Sequence, residues 1–201
     1  MEPTVLFREF EERDIDFVYR CKNDEKLNSM IVGQWHPFTY EEAKKWVAGC
    51  MGEHETYRFW AICTNDEEKR IIGWVSLSNI DKKNQSAYFH GIVVGDREYN
   101  DGFAWIEAYL FIYEYVFETC GLNRLNGSAI VQHKLSNLIA EAMYEKQEGV
   151  FRQAVLKDGK FHDVAYCAIL KDEYFSHKNA GEFEITRIIR RIGKLKRKLS
   201  I

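Results

Sequence analysis

The chain has 201 residues, with 28 lysines and arginines against 31 aspartates and glutamates and a formal net charge of −3. That length suits one domain with a real core, and 46% apolar with 29% charged residues is the composition of an ordinary globular protein. With two prolines there is no Pro-rich linker, and no internal repeat is visible.

The opening Met-Glu-Pro-Thr-Val-Leu-Phe-Arg-Glu lacks the basic-then-apolar order of a signal peptide, so none is expected. The most apolar stretch, 103–117, is interrupted by Glu107 and Glu114 and is too short to span a bilayer. The five cysteines, Cys21, Cys50, Cys63, Cys120 and Cys167, stand singly with no CxxC pair. Free buried thiols in a reducing cytoplasm are therefore expected, with no zinc or other metal site and no disulfide framework. The charge is unevenly placed. Residues 185–201 carry seven basic residues (Arg187, Arg190, Arg191, Lys194, Lys196, Arg197, Lys198) and no acid, which leaves −10 for residues 1–184. An acidic body argues against nucleic acid as a partner.

In chain order, residues 4–10 alternate as a strand, and 12–24 carry Ile15, Val18 and Tyr19 at helical spacing. A loop with Gly33 and Pro37 follows. Thr39 three residues before Glu42 is a capping box that opens a helix over 40–51. Strands are expected over 58–64 and 71–80 as a hairpin, then a buried strand over 87–95. The polar loop 96–104 runs into a long helix ending at Gly121, with Ile106, Leu110, Tyr113 and Phe117 as its stripe. A strand over 122–131, a helix over 136–146 begun by Ser136 or Asn137, and a hairpin over 150–170 turning at Asp158-Gly159 complete the order. Helices interleaved with strands predict a mixed α/β (α+β) fold, one mixed sheet between helices.

Two segments carry chemistry. The first is Tyr99-Asn100-Asp101-Gly102-Phe103-Ala104, a glycine loop between a buried strand and a long helix. Such a junction gathers backbone N–H groups at a helix N-terminus, which suits phosphate or pyrophosphate. It is neither a P-loop nor a GxGxxG dinucleotide fingerprint. The second is Asn137-x-x-Ala140-x-x-x-Tyr144, which helical spacing sets on one face. A tyrosine there can give its proton to a leaving group, or it can be a half-buried ring on an amphipathic helix.

Together these segments, the opening 6–19, the segment 73–89 and the closing hairpin make the chain resemble the GNAT superfamily of N-acetyltransferases. Within it, the likeness is to the branch acting on ribosomal-protein N-termini, spermidine and amino sugars. The resemblance covers roughly 4–175. It divides the chain into a transferase domain over 1–178 and a basic amphipathic extension over 179–201. It implies the GNAT fold and acetyl-CoA as co-substrate, with the pyrophosphate on the loop Tyr99, Asn100, Asp101, Gly102, Phe103, Ala104. It also places the pantetheine arm along Ile92, Val93 and Val94, Asn137 against the cofactor, and Tyr144 as donor to the departing thiolate. Two departures stand out. Tyr99 fills a position that is usually Gln or Arg, and the usual Leu-Gly-Phe after Tyr-Glu-Lys is missing between Lys146 and Gln147-Glu148-Gly149.

For direct attack of a neutral amine on the thioester, a proton acceptor is needed. The glutamate some relatives use falls near Tyr88, so His90 on the same strand face is the substitute, with His36 and Glu98 behind it. A satisfied core histidine is the other reading of His90. Trp35, His36 and Phe38 offer an aromatic acceptor lining or a hydrophobic lid edge. The expected acceptor is a small-molecule primary amine, an amino sugar ahead of a polyamine or a protein N-terminus. The competing class is a CoA-free binding module. The tail, with Ile185, Ile188, Ile189, Ile192, Leu195 and Leu199 at helical spacing, fits docking on the body or self-association into a homodimer ahead of a membrane surface.

Overall fold

A computed structural model describes residues 3–29, 31–32, 35–99 and 102–199. Its seven strands are β1 (Val5–Arg8), β2 (Arg58–Thr64), β3 (Ile71–Asp81), β4 (Ser86–Val94), β5 (Arg124–Ile130), β6 (Lys146–Lys157) and β7 (Lys160–Leu170). Their order in the sheet is β1-β2-β3-β4-β5-β7-β6. The β4–β5 pair is parallel, and the β1–β2, β2–β3, β5–β7 and β6–β7 pairs are antiparallel. This is the mixed sheet with interleaved helices that the element order predicts. By its internal contacts the chain forms two compact units, one from 1–30, 35–80 and 90–108, the other from 31–34, 81–89 and 109–201. β4 contributes to both.

In the first unit, α1 (Ile15–Lys22) follows a 3₁₀ turn (Glu12–Asp14) and buries Phe17, Val18 and Cys21. α2 (Glu25–Asn28) is a single turn where the sequence suggested loop, started by the Asp24 carboxylate accepting from Leu27 N at 2.9 Å. α3 (Tyr40–Cys50) carries the predicted box. Thr39 Oγ1 accepts from Glu42 N, and Thr39 N donates to the Glu42 carboxylate at 2.7 Å. Its buried residues Val47 and Cys50 join Phe10, Phe17, Val18, Ala61, Cys63 and Trp74 in one core. Burial pushes the thiols up, Cys21 and Cys50 to about 12 and Cys63 to about 11, so these three are inert, whereas Cys120 is exposed and Cys167 half-buried, against the expectation of five buried thiols.

Two buried acids tie this unit together. Both oxygens of Asp14 receive the Arg8 fork at 2.7 Å each, and Glu11 N adds a third bond at 2.9 Å. Glu107 accepts Thr4 N at 2.9 Å and Val5 N at 3.0 Å, fixing the start of β1.

Glu107 lies on α4 (Phe103–Glu114), the long predicted helix, which closes in a π turn over Tyr115–Thr119. In the second unit, Asp158 (φ +50°) and Gly159 (φ +72°) form the two-residue link between paired Lys157 and Lys160, the turn that Asp-Gly announces. β6 starts earlier than expected and contains two register shifts. α6 (Lys171–Asn179) has no counterpart in the sequence reading, because its start lacks a Ser, Thr, Asn or Asp cap. Leu170 N is satisfied instead by the Glu173 carboxylate at 3.0 Å. α5 (Lys134–Ala142) and α7 (Ile185–Leu199) complete the unit, where Tyr113, Phe117, Tyr174 and Phe183 pack as one aromatic cluster. Among the described residues no helix is long and apolar enough to cross a membrane.

Removing one partner of the buried Arg8–Asp14 pair strands the other charge. Asp14→Ala is therefore expected to lower unfolding free energy by about 3–5 kcal/mol, read from urea titration.

Candidate active site

β4 is where the two faces of a strand change places. Ala87 and Phe89 are buried, and so are Ile92 and Val94, which breaks the period of two. The break is Gly91 at φ +126°, a conformation that L side chains rarely adopt. The bulge leaves His90 exposed while turning Ile92 and Val94 into the core. His90 reaches solvent at its rim, yet the surrounding protein and the Lys22 ammonium both lower its pKa. It is thus neutral at pH 7 and able to accept a proton.

After β4 the chain is pinned before it enters the helix. Gly95 N and Asp96 N both donate to Ile72 O, Asp96 pairs with Arg70 at 2.6 Å, and Tyr99 N donates to Asp96 O at the end of a 3₁₀ turn. Asn100 and Asp101 lie outside the described residues. Gly102 then takes φ +101°, and its carbonyl accepts Ile106 N at 3.2 Å, so it caps α4. A side chain at 102 would meet no atom within 4 Å, so its seat borders open space. Ala104 is buried beneath the first turn, which carries no acidic side chain. An anion placed there meets the positive end of the helix with no competing carboxylate in that turn.

The aromatic loop of the sequence reading also falls in this unit. Asn23 clasps Phe38 in both directions, at 3.0 and 3.1 Å, and His36 stacks on Phe38. Trp35 Nε1 donates to Lys22 O at 2.7 Å. Around the Lys22 ammonium stand Trp46 at 4.5 Å and Phe38 and Trp74 at 5.4 Å each, measured to ring centroids. His90, Trp35 and Phe38 are thus gathered about one lysine that the sequence had not singled out. Nothing local marks Lys22, because the rings come from a loop, α3 and β3.

Residues 4–146 match the family model described as Acetyltransferase (GNAT) domain. The chain belongs to the GNAT acetyltransferase family. An uncharacterized N-acetyltransferase of Bacillus subtilis, YnaD, is 27% identical over 170 residues, 85% of this GNAT chain and 95% of the relative. Among solved structures, spermidine N-acetyltransferase from Vibrio cholerae in complex with CoA and spermine aligns with TM-score 0.76 at 20% identity, covering 87% of this chain and 99% of that one. A GNAT-family acetyltransferase from Bacillus anthracis aligns at 0.72 and 22%, covering 85% and 96%. At these identities the structural likeness establishes the GNAT fold.

The other two site residues read from the GNAT pattern lie in the second unit, and one is not where helical spacing put it. α5 is capped by His133, whose Nδ1 accepts Ser136 N, and it ends at Ala142 instead of running to 146. Asn137 is on α5, and its amide nitrogen is spent on the carbonyls of Ile130 and His133 at 3.0 and 2.9 Å. Tyr144 is past the helix end. Glu145 N donates to Ala140 O and Tyr144 N to Glu141 O, a Schellman stop with Tyr144 at φ +67° in the position that glycine prefers. The shared face of Asn137, Ala140 and Tyr144 is therefore not formed. The Tyr144 ring instead stacks on His177 with centroids 3.8 Å apart and lies 4.0 Å beneath the Arg191 guanidinium, while its hydroxyl interacts with Glu182. Burial raises its pKa.

The next residue, Glu145, is buried. Its carboxyl accepts from Tyr113 OH at 3.3 Å and from the Cys167 thiol at 2.7 Å, and burial raises its pKa. A carboxyl whose folded pKa is raised stabilises the fold below its unfolded pKa, and that stability drains away as pH climbs through the folded value. Glu145→Gln is expected to match the parent's melting temperature at pH 4 and to exceed it at pH 8, measured by thermal unfolding at both.

Proposed function

We propose that this GNAT chain is an acetyl-CoA-dependent N-acetyltransferase acting on a primary amine by direct transfer. The observation that carries the reading is the junction of β4, Gly102 and α4. There an acid-free first helical turn follows an open glycine seat, directly downstream of a strand that holds a neutral histidine. Bound acetyl-CoA would supply the activated acetyl thioester. Gly102, Phe103 and Ala104 would hold its pyrophosphate through backbone N–H groups, Ile92 to Val94 would line the pantetheine arm as a neighbouring strand would, and His90 would take the proton of the attacking amine.

The proton donor is the part of the family pattern that we read differently on this chain. Since Tyr144 occupies the glycine-type position at the end of α5, we place the family's Leu-Gly-Phe on Met143-Tyr144-Glu145. The missing residues after Lys146 are then accounted for by a shift of one helical turn, and Ala140 falls where the family's tyrosine stands. A thiolate with an ordinary thiol pKa of about 8.5 leaves without much acid assistance, which makes such a substitution tolerable. Tyr144→Phe is expected to keep kcat within about twofold; a drop beyond about tenfold with unchanged acetyl-CoA affinity would return Tyr144 to the role of donor.

The body's charge of −10 suits a cationic amine. The fold neighbour from Vibrio cholerae, solved with CoA and spermine, makes a polyamine the first amine to try, beside an amino-sugar nucleotide and an N-terminal peptide. Calorimetric titration with acetyl-CoA followed by thiol release with these three acceptors tests the reading. Failure to bind millimolar acetyl-CoA would leave the binding-module alternative standing. For the base, His90→Ala is expected to lower kcat/KM by about 100-fold or more. Because its pKa is lowered, the acid limb of the parent's pH profile should fall below pH 6.5 and vanish in that variant.

A further inference from the structure

Lys22 ends α1 with its ammonium among three aromatic rings and with Trp35 fixing its carbonyl. Burial lowers its pKa, and the neighbours that act on it are the Cys50 and Cys21 thiols, themselves pushed up to about 12 and neutral, with no carboxylate among them. Ring faces hold a cation, but they supply no counter-charge, so the neutral amine is more accessible here than on an ordinary surface lysine. Neutral is the form an acyl acceptor must take. The charge of Lys22 reaches His90, the proposed base. Two residues further along the same strand begins Ile92–Val94, about 7 Å away at the usual strand rise.

We propose that the Lys22 ε-amine is an internal acetyl acceptor and that the chain acetylates itself there. The proposal rests on acetyl-CoA occupying β4 and the Gly102 loop as described above. The nitrogen lone pair of Lys22 forms the bond to the acetyl carbonyl carbon, and the C–S bond breaks with its electron pair leaving on sulfur. The proton released from Nζ passes to His90 and then to the thiolate, giving an amide and free coenzyme A. The product has no charge, so the box of Phe38, Trp46 and Trp74 loses its resident cation.

The test uses the full chain and acetyl-CoA labelled with ¹³C in the acetyl group, without added amine, followed by digestion with a glutamate-specific protease and mass spectrometry. The exposed Lys82 and Lys83, in the turn between β3 and β4, report the purely chemical background. Lys22 is expected to gain label at least about tenfold faster than these two, with the advantage lost in His90→Ala and the product absent in Lys22→Arg. Equal or slower labelling of Lys22, with acetyl-CoA binding intact by calorimetry, would overturn self-acetylation and leave the transferase reading in place. Absence of acetyl-CoA binding would overturn both.

Discussion

Gly91 turns at φ +126° inside β4, and the arrangement of the first unit hangs on that turn. A regular strand with Ala87 and Phe89 on the core face would put residue 91 there too, and would send His90, Ile92 and Val94 outward together. The bulge separates these demands. His90 stays at the open face, while Ile92 and Val94 go into the core and hold the end of β4 in place. That rigid end lets Gly95 and Asp96 hang from Ile72 O and aims the chain at Gly102. A β-carbon at 91 would cost about 1–3 kcal/mol of backbone strain, so the position of the histidine and the packing of the strand are conditions on a single residue.

Much of the fold is written locally. Thr39-x-x-Glu42 fixes the start of α3, Asp158-Gly159 fixes the last hairpin, and a strand followed by a glycine and a long apolar run fixes the β4–α4 junction. What escapes is decided at a distance. α6 has no side-chain cap of the usual kind, and its first orphan donor is met by Glu173. The bulge in β4 reads as one more glycine in a hydrophobic strand until burial is known. Lys22 looks like the last polar residue of an amphipathic helix, a position where solvent is the default. Its rings at 38, 46 and 74 are brought to it only by tertiary folding. The glycine at the start of α4 was legible for the opposite reason, since the cap Gly102 makes depends on its immediate neighbours.

The end of α5 shows how one backbone choice can mislead a motif. Tyr144 continues the helical spacing of Asn137 and Ala140, and glycine, the usual stop signal, is absent from 140–146. The helix nevertheless stops at Ala142. Left-handed tyrosine costs roughly 1–2 kcal/mol relative to the ordinary helical region. The surroundings offset it: Tyr113 OH donates to Met143 O at 3.0 Å, Glu145 is drawn inward to Tyr113 and Cys167, and the displaced ring is covered by His177 and Arg191. A motif matched by spacing alone carries no information about which of these forces wins.

The basic tail takes its meaning from the same spot. Arg191 donates to Glu141 O near the C-terminal end of α5, where a cation meets the negative end of the helix dipole, and its guanidinium also covers the Tyr144 ring. Ile188, one turn earlier, is fully buried, and α7 runs on unbroken through Gly193. Arg187, Arg190, Lys194, Lys196, Arg197 and Lys198 remain exposed, so most of the tail's charge is displayed, although Arg187 also donates to Ala180 O at 2.9 Å. A division of the chain after residue 178 separates His177 from Arg191, the two groups that sandwich Tyr144. Packing runs across that division, and the geometry at the end of α5 depends on both sides.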